Sequence, residues 1–151
     1  MRAVILKWLN LITELRLRIL RFIRGGQGDS KMSDSRSRGQ LGEDIACKAL
    51  KRDKYKILEK NFRCRQGEID IIAEDGDGVL CFVEVKARSS DAYGRPEEVV
   101  NSYKQKRLTA AAYIYLEKYK VKERDMRFDI VAVDLGTGST GILKNAFEVS
   151  Y

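Results

Sequence analysis

The sequence predicts a mixed α/β domain with elements in the order α-β-β-β-α-β-β. Helical spacing of apolar residues marks two stretches, and apolar runs or alternations bounded by glycine-containing turns mark five strands. Helices and strands that alternate in this way favour a mixed sheet with helices packed against it. A chain of 151 residues, 44% of them hydrophobic and only one a proline, fits one such domain with a real core.

The first helix and three strands come from residues that follow one another closely. "GQLGEDIACKALKRD" sets Leu41, Ile45, Ala49 and Leu50 on one side of a helix. "YKILEKNFRCR" and "GEIDIIAED" follow as strands, "DGDG" as a turn and "VLCFVEVKAR" as a third strand.

A second helix and two further strands complete the domain. Pro96 precedes "EEVVNSYKQKRLTAAAYIYLEKYK" and suits the first turn of a long helix, where Glu97 and Glu98 lie beside the positive end of the dipole. "MRFDIVAVD" and "GILKNAFEV" are the last two predicted strands.

The first 38 residues are predicted to lie outside this domain, which we place at residues 39–151. Residues 1–24 form an amphipathic, basic helical arm, and residues 25–38, rich in Gly, Ser and charge, form a flexible linker. Charged residues interrupt any apolar run long enough for a membrane span, and no small-residue cleavage site suggests a signal peptide. The arm could pack on a partner or another copy, contact a membrane surface, or have no defined role. Translation starting at Met32 would remove it.

Charge and composition limit the chemistry. The net charge is +7, of which +6 belongs to residues 1–38, so attraction to nucleic acid or an anionic membrane is mainly a property of the arm. Three cysteines without a C-x-x-C pair suit a reducing cytoplasm and supply no zinc site. The chain has no histidine, which excludes Ser-His or Cys-His catalysis and histidine-ligated metals. Any hydrolysis must use carboxylates, lysine and a hard metal ion.

Charged residues interrupt the most apolar strands. Asp70 stands in the second strand, and Glu84 and Lys86 stand in the third, where alternation puts both on the face of Leu80 and Phe82. Burying an unpaired carboxylate costs several kcal/mol, so the ordinary interpretation is an ion pair, with Asp70 as a third member. The second strand also carries Glu68, two residues before Asp70.

The two carboxylates can share a face only if the turn between the strands has the right length. Asp70 lies opposite Glu84 in an antiparallel hairpin when the connecting loop has an odd number of residues or a bulge is present. Gly76 and Gly78 can supply the left-handed residue of a three- or five-residue loop. A regular two-residue turn would put Asp70 and Glu84 on opposite faces.

Carboxylates on one patch repel each other unless a cation lies between them. Mg²⁺ suits such a site because it takes oxygen ligands, keeps several waters and needs only one or two protein carboxylates. Lys86 could orient a bound water and neutralise charge on a phosphate oxygen. Glu43 on the first helix is a further carboxylate, although an acid at a helix N-terminus is more simply explained by the helix dipole.

Several motifs together resemble a known family. They are "RGQLGEDIA", "NFRCRQGEIDIIA", "FVEVKARSS", "YGRPEEVV", "KQKRLTAAAYIYL" and "RFDIVAVD". On these motifs residues 38–151 closely resemble the YraN family of small bacterial proteins, within the PD-(D/E)XK restriction-endonuclease-like superfamily and similar to archaeal Holliday junction resolvases. The resemblance implies a restriction-endonuclease-like mixed β-sheet core, with Asp70, Glu84 and Lys86 at its D…(D/E)-x-K site and Glu43 as a further metal-site acid.

The resemblance also implies a function. We expect a Mg²⁺- or Mn²⁺-dependent endonuclease that cuts DNA, with branched or structured DNA favoured by analogy to resolvases, and a homodimer by the same analogy. Lys104, Lys106 and Arg107 could hold a phosphate backbone or form a solvated helix face. One alternative is a nucleic-acid-binding or adaptor protein that keeps the fold without cleaving. Another is an assembly factor in which the arm dominates.

Overall fold

The computed structural model describes residues 34–88 and 102–148. They form the predicted order α-β-β-β-α-β-β. The elements are α1 (Asp34–Arg52), β1 (Lys56–Cys64), β2 (Gly67–Glu74), β3 (Leu80–Arg88), α2 (Ser102–Tyr119), β4 (Met126–Asp134) and β5 (Thr140–Leu143). The arm at residues 1–24, Pro96 with Glu97 and Glu98, and the motif "SSDAYGRP" lie outside the described residues.

The five strands form one mixed sheet in the order β1-β2-β3-β4-β5. β1, β2 and β3 form an antiparallel meander, β3 and β4 are parallel, and β5 is antiparallel to β4. A parallel pair needs a crossover connection, and α2 lies in the segment that joins β3 to β4. β3 is therefore the central strand, paired on both edges.

Hydrophobic side chains cover both faces of β3, as expected for an interior strand. Leu80 and Phe82 belong to a core cluster with Leu108 and Tyr115 of α2. The alternate residues of β3 pack with α1 in a second cluster, whose members include Cys81, Val83, Ala46 and Leu50. The predicted alternation of β3 is confirmed, and it sends Glu84 and Lys86 toward the α2 face.

The connection between β2 and β3 has the predicted parity. It contains five residues, 75–79, and Gly78 adopts a left-handed φ of 82°. The ladder runs from Glu74 opposite Leu80 to Ile71 opposite Val83, where the pairing of the two strands stops. Continued by one residue, the same register would set position 70 opposite position 84. The side chain of Asp75 stabilises the turn, since its Oδ1 accepts the N–H groups of Asp77 and Val79 at 2.9 and 3.0 Å.

Two element boundaries differ from expectation, and one strand is irregular. α1 includes residues 34–38, which were predicted as linker, because extending an existing helix fixes few further dihedrals for each bond gained. The first strand carries a bulge between Ile57 and Glu59. The last strand ends at Leu143 because Asn145 turns to a φ of 52° and donates its N–H to Asp129 Oδ1 at 2.9 Å. Within the described ranges, neither helix is long and apolar enough to cross a membrane.

Candidate active site

The candidate site lies where the β2–β3 ladder ends. Beyond the Ile71–Val83 pair, the N–H of Val85 donates to Asp70 Oδ2 at 2.8 Å. Ile69 belongs to the α2-side cluster whereas Ile71 belongs to the α1-side cluster, so the side-chain alternation of β2 is interrupted at Asp70. The carboxylate of Asp70 thus occupies the place at which the two strands stop pairing.

Glu84 is the most buried carboxylate of this site, with 4% of its surface exposed. Its Oε1 forms ion pairs with two lysines, with Lys86 Nζ at 2.8 Å and Lys104 Nζ at 3.2 Å. Its Oε2 is buried and has no hydrogen-bond partner among the residues that the structure describes. Buried carboxylate oxygens are normally satisfied, so this oxygen is free to take a ligand.

The neighbourhood of Glu84 makes Asp70 hard to ionise. Burial and the repulsion by Glu84 raise the pKa of Asp70 to about 7, against the lowering effects of the Val85 N–H and of Lys104. The charge of Glu43 adds a smaller increase to the same pKa. A carboxylate pair with this behaviour would be stabilised by a cation bound between its members.

Glu43 reaches the edge of the site from α1. The helix lies close to β3 at Gly42, where the Cβ of any other residue would come within 2.4 Å of Ala87 Cβ. Asn61 of β1 donates its amide Nδ2–H to Glu43 Oε2 at 2.9 Å. Asn61 has a φ of 54°, a conformation that asparagine tolerates better than most residues.

The residues present fit a divalent cation held by two carboxylates. Within residues 34–88 and 102–148, no group of three or more His, Cys, Asp or Glu side chains is close enough to hold a metal ion. Glu43 is therefore adjacent to the pair of Asp70 and Glu84 without completing a three-ligand cluster. The unpartnered Glu84 Oε2 and the disfavoured ionisation of Asp70 are the observations that fit a cation, and Mg²⁺ needs no more than two protein carboxylates.

Comparison with known proteins identifies the family. The model of the uncharacterised protein family UPF0102 matches residues 42–133. The chain belongs to this family. A UPF0102 protein of Syntrophus aciditrophicus is 45% identical over 123 residues, which cover 80% of this chain and 96% of the relative. A UPF0102 protein of Geobacter metallireducens is 44% identical over 119 residues, covering 78% and 97%. The resemblance to the YraN family is thereby confirmed.

One solved structure shares a low similarity with this UPF0102 chain. It is the structure of Pyrococcus furiosus SfsA in complex with Ca²⁺, with a TM-score of 0.26 and 10% identity, covering 74% of this chain and 62% of that one. A TM-score of this size supports no conclusion about the fold or chemistry of the UPF0102 domain.

The three basic residues predicted to form one group on the second helix do not share one environment. Lys104 turns inward to Glu84, whereas Lys106 and Arg107 are exposed. Sequence reasoning grouped the three by their spacing and had no signal for the inward position of Lys104. Glu68, the other acid of β2, is exposed and pairs with Arg63 at 3.5 Å.

A second buried polar cluster, which sequence reasoning missed, lies on the α1 side of the sheet. Arg127 donates to Asp129 Oδ1 at 2.9 Å, to Asp75 Oδ2 at 2.6 Å and to Tyr55 Oη at 2.9 Å. Burial alone would raise the pKa of Asp75, but hydrogen bonds from Arg127, Val79 and Asp77 lower it overall. Because its acids are paired, we assign this cluster a structural role. Its only signal in the sequence is the alternation of Arg127 and Asp129 within an apolar strand.

Proposed function

We propose that this protein is a Mg²⁺- or Mn²⁺-dependent endonuclease that hydrolyses phosphodiester bonds in DNA. The observation that carries the proposal is the environment of the buried carboxylate of Glu84. One of its oxygens lies within ion-pair distance of two lysines, and the other has no partner among the described residues. A second carboxylate, that of Asp70, lies beside it and has a raised pKa. Acids, a lysine and a carboxylate oxygen that is open to a ligand suit metal-assisted phosphodiester hydrolysis in a chain without histidine.

In this proposal each residue has a defined task. Asp70 and Glu84 would hold the divalent cation, which when bound polarises the phosphate and lowers the pKa of a water molecule. Glu84 orients Lys86 through their 2.8 Å contact, and Lys86 neutralises charge that develops on a phosphate oxygen. Glu43, held by Asn61, adds negative charge at the edge of the site and strengthens its attraction for a cation.

The substrate part of the proposal rests on the resemblance and on surface charge. Exposed Lys106 and Arg107 would contact backbone phosphates, which position a nucleic acid without reading its sequence. Branched or structured DNA and a homodimeric enzyme are proposed by analogy to the resolvases that the YraN family resembles. Size-exclusion chromatography with light scattering tests the dimer directly.

The decisive experiment is a cleavage assay on duplex, single-stranded and four-way-junction DNA with Mg²⁺ or Mn²⁺. We expect Asp70→Ala and Lys86→Ala to lose about 10²–10³-fold in cleavage rate, the usual effect of removing a charged group that stabilises a transition state. Glu123→Ala, which removes an exposed acid after α2, is the matched control and should cleave like wild type. Full activity of Asp70→Ala would place the chemistry elsewhere.

The alternative function is nucleic-acid binding without cleavage, as an adaptor. It is favoured by the lack of a three-ligand acidic group in the described ranges and by the two lysines that already neutralise Glu84. It predicts DNA binding that needs no divalent cation and is unchanged in Asp70→Asn. Wild-type protein that binds DNA but cuts none of the three substrates with either metal would support it.

A further inference from the structure

Lys104 contacts the buried carboxylate of Glu84, a contact that a helix residue used only for binding DNA at the surface would not need. It lies in the first turn of α2, yet its Nζ is 3.2 Å from Glu84 Oε1 on the central strand. Its side chain is 30% exposed, whereas that of Glu84 is 4% exposed. Lys104 therefore reaches from the surface into the carboxylate pair, and its charge also lowers the pKa of Asp70.

Glu84 has more positive charge on one oxygen than a single ion pair requires. Lys86 Nζ already lies 2.8 Å from Oε1, and Lys104 adds a second ammonium group at a longer distance on the same atom. The other oxygen, Oε2, has no partner among the described residues. A carboxylate whose only role was to attach α2 to the sheet would be expected to use both of its oxygens.

The two lysines differ in how they are held. Lys86 is on the same strand as Glu84, two residues along, so the strand fixes the separation of their Cα atoms and keeps both side chains on one face. Lys104 comes from a different element, the helix α2, and its Nζ lies at the longer distance from Glu84 Oε1. Lysine binds phosphate as a movable point charge, and Lys104 is the one of the two that is suited to change partners.

We propose that Lys104 is a second catalytic lysine, which leaves Glu84 and binds a non-bridging oxygen of the scissile phosphate. This inference rests on the proposed nuclease function. In the free protein Lys104 neutralises Glu84. When the metal ion and DNA are present, the positive charge of Lys104 pairs with the phosphate while the carboxylates are left for the cation.

The test separates cation affinity from cleavage. Lys104→Met removes a positive charge beside the carboxylates, so we expect Mn²⁺ to bind about 3- to 10-fold more tightly, measured from the EPR signal of free Mn²⁺. The same variant should cleave about 10- to 100-fold more slowly with saturating DNA and metal in single-turnover reactions. Lys104→Arg, which keeps the charge, should restore Mn²⁺ affinity toward the wild-type value.

Two lysine variants calibrate the result. Lys106→Met removes an exposed charge two residues along and should weaken DNA binding without changing Mn²⁺ affinity. Lys122→Met removes an exposed lysine beyond the far end of α2 and controls for net charge. Mn²⁺ affinity that falls together with cleavage in Lys104→Met would show a structural ion pair and overturn the inference.

The two levels of the proposal fail in different ways. Active wild-type protein in which Lys104→Met behaves like Lys106→Met would refute the role of Lys104 and leave the nuclease function intact. Wild-type protein that neither binds Mn²⁺ nor cleaves DNA would remove the proposed function, and the role of Lys104 with it. Thermal unfolding of each variant verifies that it is folded under the assay conditions.

Discussion

Asp70 links the chemistry of the site to the stability of the protein. Its carboxyl has a pKa of about 7 in the folded protein against an ordinary value of 3.8, because burial and Glu84 disfavour the charged form. A raised folded pKa of an acid means that folding favours the protonated form. The free energy of unfolding is therefore undiminished by this group below about pH 4 and decreases as the pH rises toward 7.

Replacing Asp70 by asparagine should remove this pH dependence. Asp70→Asn keeps a carbonyl oxygen for the Val85 N–H but cannot ionise. We expect the free energy of unfolding of the variant, relative to that of wild type, to increase by roughly 2–4 kcal/mol as the pH is raised from 4 to 8 in the absence of divalent metal. Urea unfolding at the two pH values measures the difference. Glu123→Gln, at an exposed acid, should show no such gain, and a pH-independent effect of Asp70→Asn would contradict the assigned pKa.

At the scale of the elements, the approach of α1 to β3 depends on one glycine. The Cβ of any other residue at Gly42 would lie 2.4 Å from Ala87 Cβ, too close for two carbon atoms. Gly39, one turn earlier in the same helix, has nothing within 4 Å of such a Cβ. The same substitution at the two positions therefore tests the contact between α1 and β3 separately from helix propensity.

We expect Gly39→Ala and Gly42→Ala to change stability in opposite directions. Gly39→Ala should raise the free energy of unfolding by up to about 1 kcal/mol, because alanine is the better helix former. Gly42→Ala should lower it by about 1–3 kcal/mol, the usual cost of overpacking. Equilibrium denaturation of both variants gives the two values. A stabilised Gly42→Ala protein would mean that α1 can move away from β3 without cost.

Periodicity and turn chemistry were enough to predict the order of the helices and strands and the face of the sheet on which two site residues lie. The shared face of Glu84 and Lys86 follows from alternation along β3. The register of the β2–β3 ladder, which leads up to Asp70 and Glu84, follows from an odd loop with a left-handed glycine. The interruption of β2 at Asp70 could not be predicted, since it depends on side chains of two different core clusters. The end of β5 at Leu143 likewise depends on a contact from Asn145 to Asp129.

At the scale of the whole molecule, charged clusters lie on both faces of one sheet. The cluster of Glu84 faces α2 and has an oxygen without a partner among the described residues, whereas the cluster of Arg127 lies on the α1 side with its acids paired. Sequence patterns could not reveal that Lys104 joins the first cluster or that Asp75, Tyr55 and Arg127 meet in the second. Both depend on how distant segments pack across the sheet.

The buried ion pairs of the Arg127 cluster should contribute more to the free energy of unfolding than ion pairs at exposed positions. Arg127→Met would leave the buried carboxylates of Asp75 and Asp129 without their cation, and breaking a buried pair costs about 3–5 kcal/mol. The control is Arg124→Met, because Arg124 pairs with Glu74 at a more exposed position and such pairs contribute about 1 kcal/mol or less. Unfolding free energies at pH 7 compare the two. Equal losses would show that burial does not distinguish the pairs.

The five-residue connection between β2 and β3 also restricts how the gene can change. Inserting or deleting one codon there would shift one strand of the hairpin by one residue, so that its side chains face the other side of the sheet. Asp70 would then be separated from Glu84, unless a bulge absorbed the change. Inserting or deleting two codons preserves the pairing of faces. Length variation that keeps the site intact should therefore occur in steps of two residues, although the tip of the loop, residues 76–78, is exposed and contacts no substrate in the proposed mechanism.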